Sequence, residues 1–251
     1  MAVSIKSERE IELMRQSCRL LEEVHDELGK FIKPGISTMD INKYGDELIR
    51  ERGCVPNFLN YNGYPASICV SVNEEVVHGI PRKDRILYSG DIVSLDAGLI
   101  YKGYHSDAAR TYPVGDVAPE VLKLIEVTKQ SFFEGIKMAK AGNHLYDISN
   151  AIDDYIKPFG YGIVRDLVGH GIGTALHEDP QIPNFHQHRR GLKLQVGMTL
   201  AVEPMVNLGR YDVEWLDDDW TVVAEDGLPS AHYENTILIT DGEPEILTLS
   251  R

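Results

Sequence analysis

The chain has 251 residues, of which 43% are hydrophobic and 25% charged, an ordinary balance for a globular protein. Its net charge of −14 argues against general binding to DNA or RNA, whose phosphates attract basic proteins. It has no apolar run near the roughly 18 residues of a membrane span, no apolar signal segment and no CxxC pair, so we expect a cytoplasmic protein without a membrane partner or disulfides.

The first half of the chain reads as two helices followed by strands. Ser7 to Glu10 has the pattern of a capping box, and apolar residues at helical spacing follow it until Gly29, at or near the helix end. Thr38 is the predicted N-cap of a second helix, which Gly53 stops. From Cys54 to Tyr112 short strands are expected between turns. The remaining predicted elements are helices near residues 118–140 and 145–157 and strands from Tyr161 onward.

The two halves of the chain resemble each other at a constant offset of 107 residues. Gly90 returns as Gly197, and Asp96 returns as Glu203. Because both pairs fall in equivalent strand contexts, we expect an α+β fold with two halves around a pseudo-twofold axis and a metal site at their junction. The expected halves of a single domain spanning residues 1–251 are approximately 1–115 and 116–251.

Metal-ligand side chains recur beside apolar strand segments. Asp96 is expected to end the strand from Asp91 to Leu95, and His170 to end a strand from Ile163 to Val168. Buried carboxylates are costly unless a cation compensates them, and Arg110 is one of few basic residues nearby. One histidine with four carboxylates suits two divalent metals and is too acidic for one structural zinc. The candidate ligands are Asp96, Asp107, His170, Glu203 and Glu234.

Each of these residues, taken alone, is more typical of a simpler structure than of a metal site. An aspartate after an apolar run is usually a turn residue, and a single histidine is usually hydrogen-bonded within the fold. The prediction of a metal centre therefore depends on the recurrence of all five in similar positions.

Eight segments, distributed over nearly the whole chain, together form the pattern of a known family. They are Asn60–Pro65, Val76–Pro81, Gly90–Asp96, Gly103–Asp107, Gly169–Gly173, His177–Pro180, Val202–Pro204 and Tyr233–Thr236. On these segments the chain resembles the type I methionine aminopeptidases of the short bacterial kind, in the M24 metallopeptidase superfamily. The resemblance implies a pita-bread fold with a central antiparallel sheet. It implies a methionyl aminopeptidase that removes initiator methionine from nascent chains when the second residue is small and uncharged.

The resemblance also implies how the ligands are shared between two divalent metal ions. Asp107 and Glu234 would bridge the two metals, and Asp96 would bind one of them alone. His170 and Glu203 would complete the other. The ligand set leaves the metal open among cobalt, manganese, iron and zinc. Some relatives also have a monovalent-cation site, which would lie near Asn73 and Ser230 in this chain.

Further residues receive catalytic roles from the same resemblance. A hydroxide bridging the metals would attack the first peptide carbonyl, and Glu203 would pass a proton to the leaving amine. His177 would stabilise the oxygen of the tetrahedral intermediate, and His78 would hold the backbone beyond the scissile bond. From the residues alone, both of these histidines are more typical of turns that bond their own loop.

The methionine pocket is implied to include Tyr64, Cys69 and Trp220, for which plain core packing is the alternative. Two residues depart from the pattern of the family: Asn62 stands where many relatives have histidine, and Leu176 where many have an aromatic residue. These departures affect the expected shape of the pocket and not the reaction.

Two other functions are the alternatives to this one. Proline-specific peptidases of the superfamily usually carry a large extra N-terminal domain, for which too few residues precede Tyr64. A catalytically inactive binding protein with this fold would have lost ligands, and all five are present.

A monomer is expected, which acts on nascent polypeptide N-termini. The hairpin after Glu203 is acidic where many relatives carry lysines, so we expect weak ribosome association, or docking through another face. The candidate docking loop contains Arg189, Arg190 and Lys193, and the acidic hairpin contains Asp212, Glu214, Asp217, Asp218, Asp219, Glu225 and Asp226.

Overall fold

A computed structural model describes residues 3–249 and contains the four predicted helices. The helix α1 begins with the predicted capping box, in which the Ser7 backbone N–H and hydroxyl both donate to the Glu10 carboxylate. The predicted cap of α2 is wrong by one residue: Ser37 is the N-cap, because it exchanges hydrogen bonds with Asp40. The helices are α1 (Glu8–Phe31), α2 (Thr38–Glu51), α3 (Pro119–Ile136) and α4 (Leu145–Ile156).

The strands of the first half precede α3, and those of the second half follow α4. In the first half they are β1 (Val55–Pro56), β2 (Ile68–Val72), β3 (Glu75–Val77), β4 (Ile92–Tyr101) and β5 (Tyr104–Pro113). In the second half they are β6 (Gly162–Ile163), β7 (Gly169–Gly171), β8 (Glu178–Ile182), β9 (Thr199–Val202), β10 (Met205–Asn207), β11 (Val213–Trp215), β12 (Val222–Ala224), β13 (Ser230–His232), β14 (Glu234–Leu238) and β15 (Glu245–Ile246).

The central sheet is antiparallel and joins the two halves. Its strands follow the order β1-β4-β5-β14-β9-β7-β8, with β2 also paired to β4 and β15 to β14. The halves meet where Ala109 of β5 pairs with Glu234 of β14. Outward from this junction, the series β5, β4, β2 corresponds to the series β14, β9, β7. This symmetry fits the pseudo-twofold arrangement expected from the sequence.

The 107-residue offset also appears in the local backbone pairing. Ser37 forms an isolated bridge with Ile86, and His144 forms one with Lys193. Both partners shift by the same offset, as do the first residues of α2 and α4. The duplication therefore extends to the backbone bridge that precedes the second helix of each half.

Two predicted strand ends are wrong. Asp96 lies inside β4, which continues to Tyr101 because β5 supplies a ladder partner for each residue, including Ala109 for Asp96. His170 lies in the middle of β7, and the preceding apolar run is interrupted after Ile163. Glu203 directly follows β9, and Glu234 begins β14.

The helices cover one face of the sheet, so the other face is available for a site. The Ser17 hydroxyl of α1 bonds the Ser106 hydroxyl of β5 at 3.0 Å, and His25 bonds the Ala108 carbonyl at 2.7 Å. Since side chains alternate along a strand, Asp107 points away from α1. No helix of the described residues 3–249 is long and apolar enough to cross a membrane.

Candidate metal centre

Three carboxylates share the sheet face that points away from the helices. Ala109 of β5 pairs with Asp96 of β4 on one side and with Glu234 of β14 on the other. Directly paired residues project to the same face, and Asp107 shares that face because it lies two residues before Ala109. The junction of the two halves therefore gathers these side chains by strand register alone.

His170 presents a bare ring nitrogen to this group. Its Nδ1 lies 2.9 Å from the Gly171 carbonyl oxygen, which accepts the Nδ1–H. The Nε2 atom lies 3.5 Å from Glu203 Oε1 and 3.7 Å from Asp107 Oδ2. A histidine whose other nitrogen donates to a carbonyl has the tautomer and orientation of a metal ligand.

No basic side chain of the described residues neutralises these four carboxylates. Arg110 is close to them, but its guanidinium donates to the carbonyls of Ala109, Glu234 and Thr248 and to the Asn235 amide oxygen. Four buried carboxylate oxygens have no hydrogen-bond partner: Asp96 Oδ1, Asp107 Oδ1, Glu203 Oε1 and Glu234 Oε1. Such orphaned anionic oxygens fit a divalent cation at their centre.

The electrostatics lead to the same conclusion. Burial raises the pKa of Asp107, Glu203 and Glu234 well above the ordinary range, and neighbouring carboxylates add to each shift. Burial raises the pKa of Asp96 to about 7. Four clustered carboxylates cannot all be ionised without a compensating charge, and a bound cation supplies that charge.

His232 also belongs to this cluster, although it is not among the ligands predicted from the sequence. It is 2% exposed, and its Nε2 has no hydrogen-bond partner and lies 4.0 Å from both Glu203 Oε2 and Glu234 Oε2. Candidate ligand atoms from these three residues lie within 4.8 Å of one another, as do those of Asp107, His170 and Glu234. Its spacing of two residues from Glu234 was the available signal, since that spacing often places side chains together.

A cavity of about 150 Å³ opens beside the cluster, and all ten predicted site residues line it. The rest of the lining is largely aromatic and sulfur-bearing. Tyr64 and Trp220 meet edge to face with ring centroids 5.1 Å apart, and the Tyr64 hydroxyl donates to the Gly79 carbonyl at 2.8 Å. Cys69 is 4% exposed, and Leu176 also contributes to this part of the lining. Asn62, Phe58 and Tyr61 complete the lining.

His78 and His177 lie where this cavity meets a second one of about 430 Å³. The His177 ring is perpendicular to the His170 ring at 4.3 Å, and its Nδ1 is 2.8 Å from the Tyr61 hydroxyl. Desolvation lowers the pKa of His177, and it lowers the pKa of His78 to about 4. Both rings are therefore neutral near pH 7 and can each donate one hydrogen bond.

The residues near the expected monovalent-cation site are also adjacent. The Ser230 backbone N–H donates to the Asn73 carbonyl at 2.8 Å, and Asn73 has a positive φ of 57°. The Asn73 amide donates to Asp91 at 2.8 Å. The fold thus joins the two segments that the resemblance associates with this cation.

Comparisons with known proteins agree with this geometry. The sequence profile of Metallopeptidase family M24 matches residues 12–241. The methionine aminopeptidase of Clostridium acetobutylicum is 52% identical over 247 residues, which cover 98% of this chain and 99% of that protein. The crystal structure of methionine aminopeptidase from Thermotoga maritima superposes with a TM-score of 0.97 at 43% identity, covering 99% of this chain and 100% of that one.

A proline-specific relative shares the fold at a greater distance. The Xaa-Pro dipeptidase from Bacillus anthracis superposes with a TM-score of 0.80 at 25% identity. The superposition covers 98% of this chain and 62% of the dipeptidase. Together with the antiparallel sheet and its paired halves, these similarities confirm the pita-bread fold.

Proposed function

Because the chain belongs to metallopeptidase family M24, we propose that it removes N-terminal methionine from nascent proteins and peptides whose second residue is small and uncharged. One observation carries this proposal. One cavity is lined both by a cluster of carboxylates with orphaned oxygens and by aromatic and sulfur-bearing side chains. The similarity to methionine aminopeptidases over nearly the full chain supports it. No observation favours a proline-specific or an inactive protein.

We propose that two divalent ions bind to the cluster. Asp107 and Glu234 would be shared between them, since both lie at the junction of the halves. Asp96 would hold one ion, and His170 with Glu203 would hold the other. When bound, such ions polarise the scissile carbonyl and activate water. Cobalt, manganese, iron and zinc all suit this ligand set.

The side chains around the cluster have distinct tasks. Glu203 would accept a proton from the attacking water and deliver it to the leaving amine. His177 would donate a hydrogen bond to the carbonyl oxygen as that oxygen gains negative charge. His78, at the boundary between the two cavities, would bind the backbone beyond the scissile bond.

The aromatic part of the lining would bind the methionine side chain. Tyr64, Cys69 and Trp220 present polarizable surfaces that suit an unbranched thioether. Leu176 replaces the aromatic residue of many relatives and Asn62 replaces their histidine, so this lining is less aromatic than in those proteins. The pocket should still favour methionine over shorter apolar side chains, because a methylene group in an apolar pocket contributes measurably to specificity.

Peptides with different first and second residues test the proposed function. Met-Ala-Ser should be cleaved after methionine at least about tenfold faster than Met-Lys-Ser, because the second side chain must pass close to His78 and the metals. Ala-Pro-Ser should not be cleaved. Release of the first residue can be measured by chromatography. Equal cleavage of the alanine and lysine peptides would contradict the size limit, and preferential cleavage of Ala-Pro-Ser would favour the proline-specific alternative.

We further propose that residues 1–251 act as one catalytic domain and as a monomer. The halves, approximately 1–115 and 116–251, share the metal ligands between them, so neither contains a complete site. A monovalent cation would bind near Asn73 and Ser230, where the backbones of the two halves are hydrogen-bonded.

Weak ribosome association is proposed from the surface charge. The tip of the β11–β12 hairpin carries exposed Asp217, Asp218 and Asp219, which RNA phosphates would repel. Arg189, Arg190 and Lys193 are exposed on a different loop and offer an alternative docking face. Repulsion at the acidic hairpin and attraction at the basic loop together predict weak binding to the ribosome. This binding should weaken further as the salt concentration rises.

Co-sedimentation with ribosomes at two salt concentrations measures this association. Replacement of Arg189, Arg190 and Lys193 by alanine should remove the residual binding. Replacement of the exposed Lys30, Lys83 and Lys102 changes the net charge equally and should not. Tight, salt-sensitive binding that survives the first replacement, yet is lost when the acidic residues of 212–219 are changed, would refute the electrostatic argument.

A further inference from the structure

We propose that Tyr61 is a positioning residue that fixes the tautomer of His177. Its hydroxyl lies 2.8 Å from His177 Nδ1, and the two rings meet edge to face with centroids 5.2 Å apart. Within residues 3–249, His177 is the hydrogen-bond partner that the structure gives this hydroxyl. The proposal deepens the proposed function, because it concerns how His177 is prepared to act there.

The direction of this hydrogen bond decides what the rest of the ring can do. A tyrosine hydroxyl is protonated near pH 7, so Tyr61 can donate to Nδ1. When it does, a neutral His177 must carry its hydrogen on Nε2. The Nε2 atom has no hydrogen-bond partner among the described residues, and the His177 ring lines both cavities. The Nε2–H is then available to donate to a substrate carbonyl bound in these cavities.

The opposite direction would prevent the proposed action of His177. If Nδ1 donated to the Tyr61 oxygen, Nε2 would present a lone pair to the substrate oxygen and repel it. An oxyanion donor has to be oriented before charge develops, because reorientation during the reaction would cost free energy. Because a phenol O–H is a stronger donor than the phenol oxygen is an acceptor, Tyr61 at the Nδ1 side favours the useful tautomer in advance.

The backbones on both sides of this contact are anchored. The Tyr61 segment is a tight turn, in which the Tyr61 N–H donates to Phe58 and its carbonyl accepts from Tyr64 at 3.0 Å. The loop that holds His177 is tied by the adjacent Glu178, which accepts from the Thr174 backbone N–H at 2.9 Å. Glu178 also pairs with the buried Lys6 at 2.5 Å. The contact is therefore held by two fixed segments rather than by mobile side chains.

The variant Tyr61→Phe removes the hydroxyl and retains the ring. We expect kcat for Met-Ala-Ser to fall by about 5- to 30-fold, with KM changed less than about twofold, as for the loss of one hydrogen bond that matters in the transition state. The matched control is Tyr104→Phe, which removes a phenol hydroxyl bonded to Glu10 outside the cavity. The control should keep its activity.

A double-mutant cycle separates positioning from packing. In a His177→Ala background, Tyr61→Phe should change kcat by less than about 1.5-fold, because residues that act through one another are not additive. A full additional loss in that background would overturn the proposal, since Tyr61 would then act by itself on the substrate. An unchanged kcat for Tyr61→Phe in the native background would overturn it as well.

Nitrogen NMR of the zinc-loaded protein, labelled with ¹⁵N-histidine, reads the tautomer directly. The His177 signals, assigned by their loss in His177→Ala, should show a bare Nδ1 and a protonated Nε2. In Tyr61→Phe the protonated form of Nδ1 should increase. A protonated Nδ1 in the native protein would overturn the proposal. If no methionine peptide were cleaved, the proposed function would fail, and the NMR result would still decide the tautomer.

Discussion

Removal of the bound divalent metal with a strong chelator should abolish methionine release from Met-Ala-Ser, and added divalent metal should restore it. Asp107 and Glu234 are 3% and 2% exposed, and their orphaned oxygens leave the site suited to cations. Among the described residues, the cavity offers few other groups that could supply a nucleophile in place of metal-activated water. Burial raises the pKa of the Cys69 thiol well above its ordinary range, so the thiol in this cavity is not a nucleophile at neutral pH.

The experiment needs a measurement of metal content beside the assay. Chelator saturated with metal beforehand is the control and should leave activity unchanged. Glu234→Gln gives a second route to the same result, since it retains the shape of the side chain but not its charge, and it should lose metal together with activity. Glu225→Gln, on the exposed surface, is its matched control. Full activity in protein verified to be free of metal would contradict the proposed mechanism.

The helices were predictable because their signals are local. The capping box at Ser7 and the apolar spacing that follows it need no partner elsewhere in the chain. The predicted N-cap of α2 was wrong by one residue, because both Ser37 and Thr38 carry a hydroxyl that could cap a helix. Only the reciprocal bonds with Asp40 distinguish them. The offset of 107 residues was equally visible, and the structure adds the paired bridges at Ser37 and His144.

The strands were harder to delimit because a charged residue inside a strand reads as its end. Asp96 interrupts an apolar run, yet β4 continues through it because β5 pairs with it residue by residue. Cross-strand pairing is non-local and leaves no signal near Asp96 itself. The ligands were nevertheless recognisable, because carboxylates that recur in apolar surroundings have a cost that a metal can offset.

His232 shows the limit of reasoning from isolated residues. It ends β13, two residues before the start of β14, and its Nε2 lies 4.0 Å from both Glu203 Oε2 and Glu234 Oε2. That proximity depends on β13 pairing with β10, where His232 is opposite Met205. The strand β10 follows Glu203 closely in the sequence. His232 nevertheless lies outside both matching segments that contain ligands here, Val202–Pro204 and Tyr233–Thr236.

Replacement of His177 by alanine should lower kcat by on the order of 10²–10³ while leaving the metal content nearly unchanged. The imidazole is neutral, since desolvation lowers its pKa, and its Nδ1 is occupied by Tyr61. The remaining nitrogen can donate to a carbonyl oxygen that gains negative charge, and removal of one such donor has the stated effect. His177 lies beside the His170 ring but is not among the clustered ligand atoms.

The measurement combines steady-state kinetics on Met-Ala-Ser with metal analysis of the purified variant. His188→Ala is the matched control, because His188 is exposed on the basic loop and should be replaceable without effect. His170→Ala provides the opposite comparison, since a ligand variant should lose both metal and activity. KM should change little in His177→Ala if the hydrogen bond forms mainly in the transition state. Loss of metal from His177→Ala would instead place this residue in the metal centre, because a donor that acts only on the substrate has no part in holding an ion.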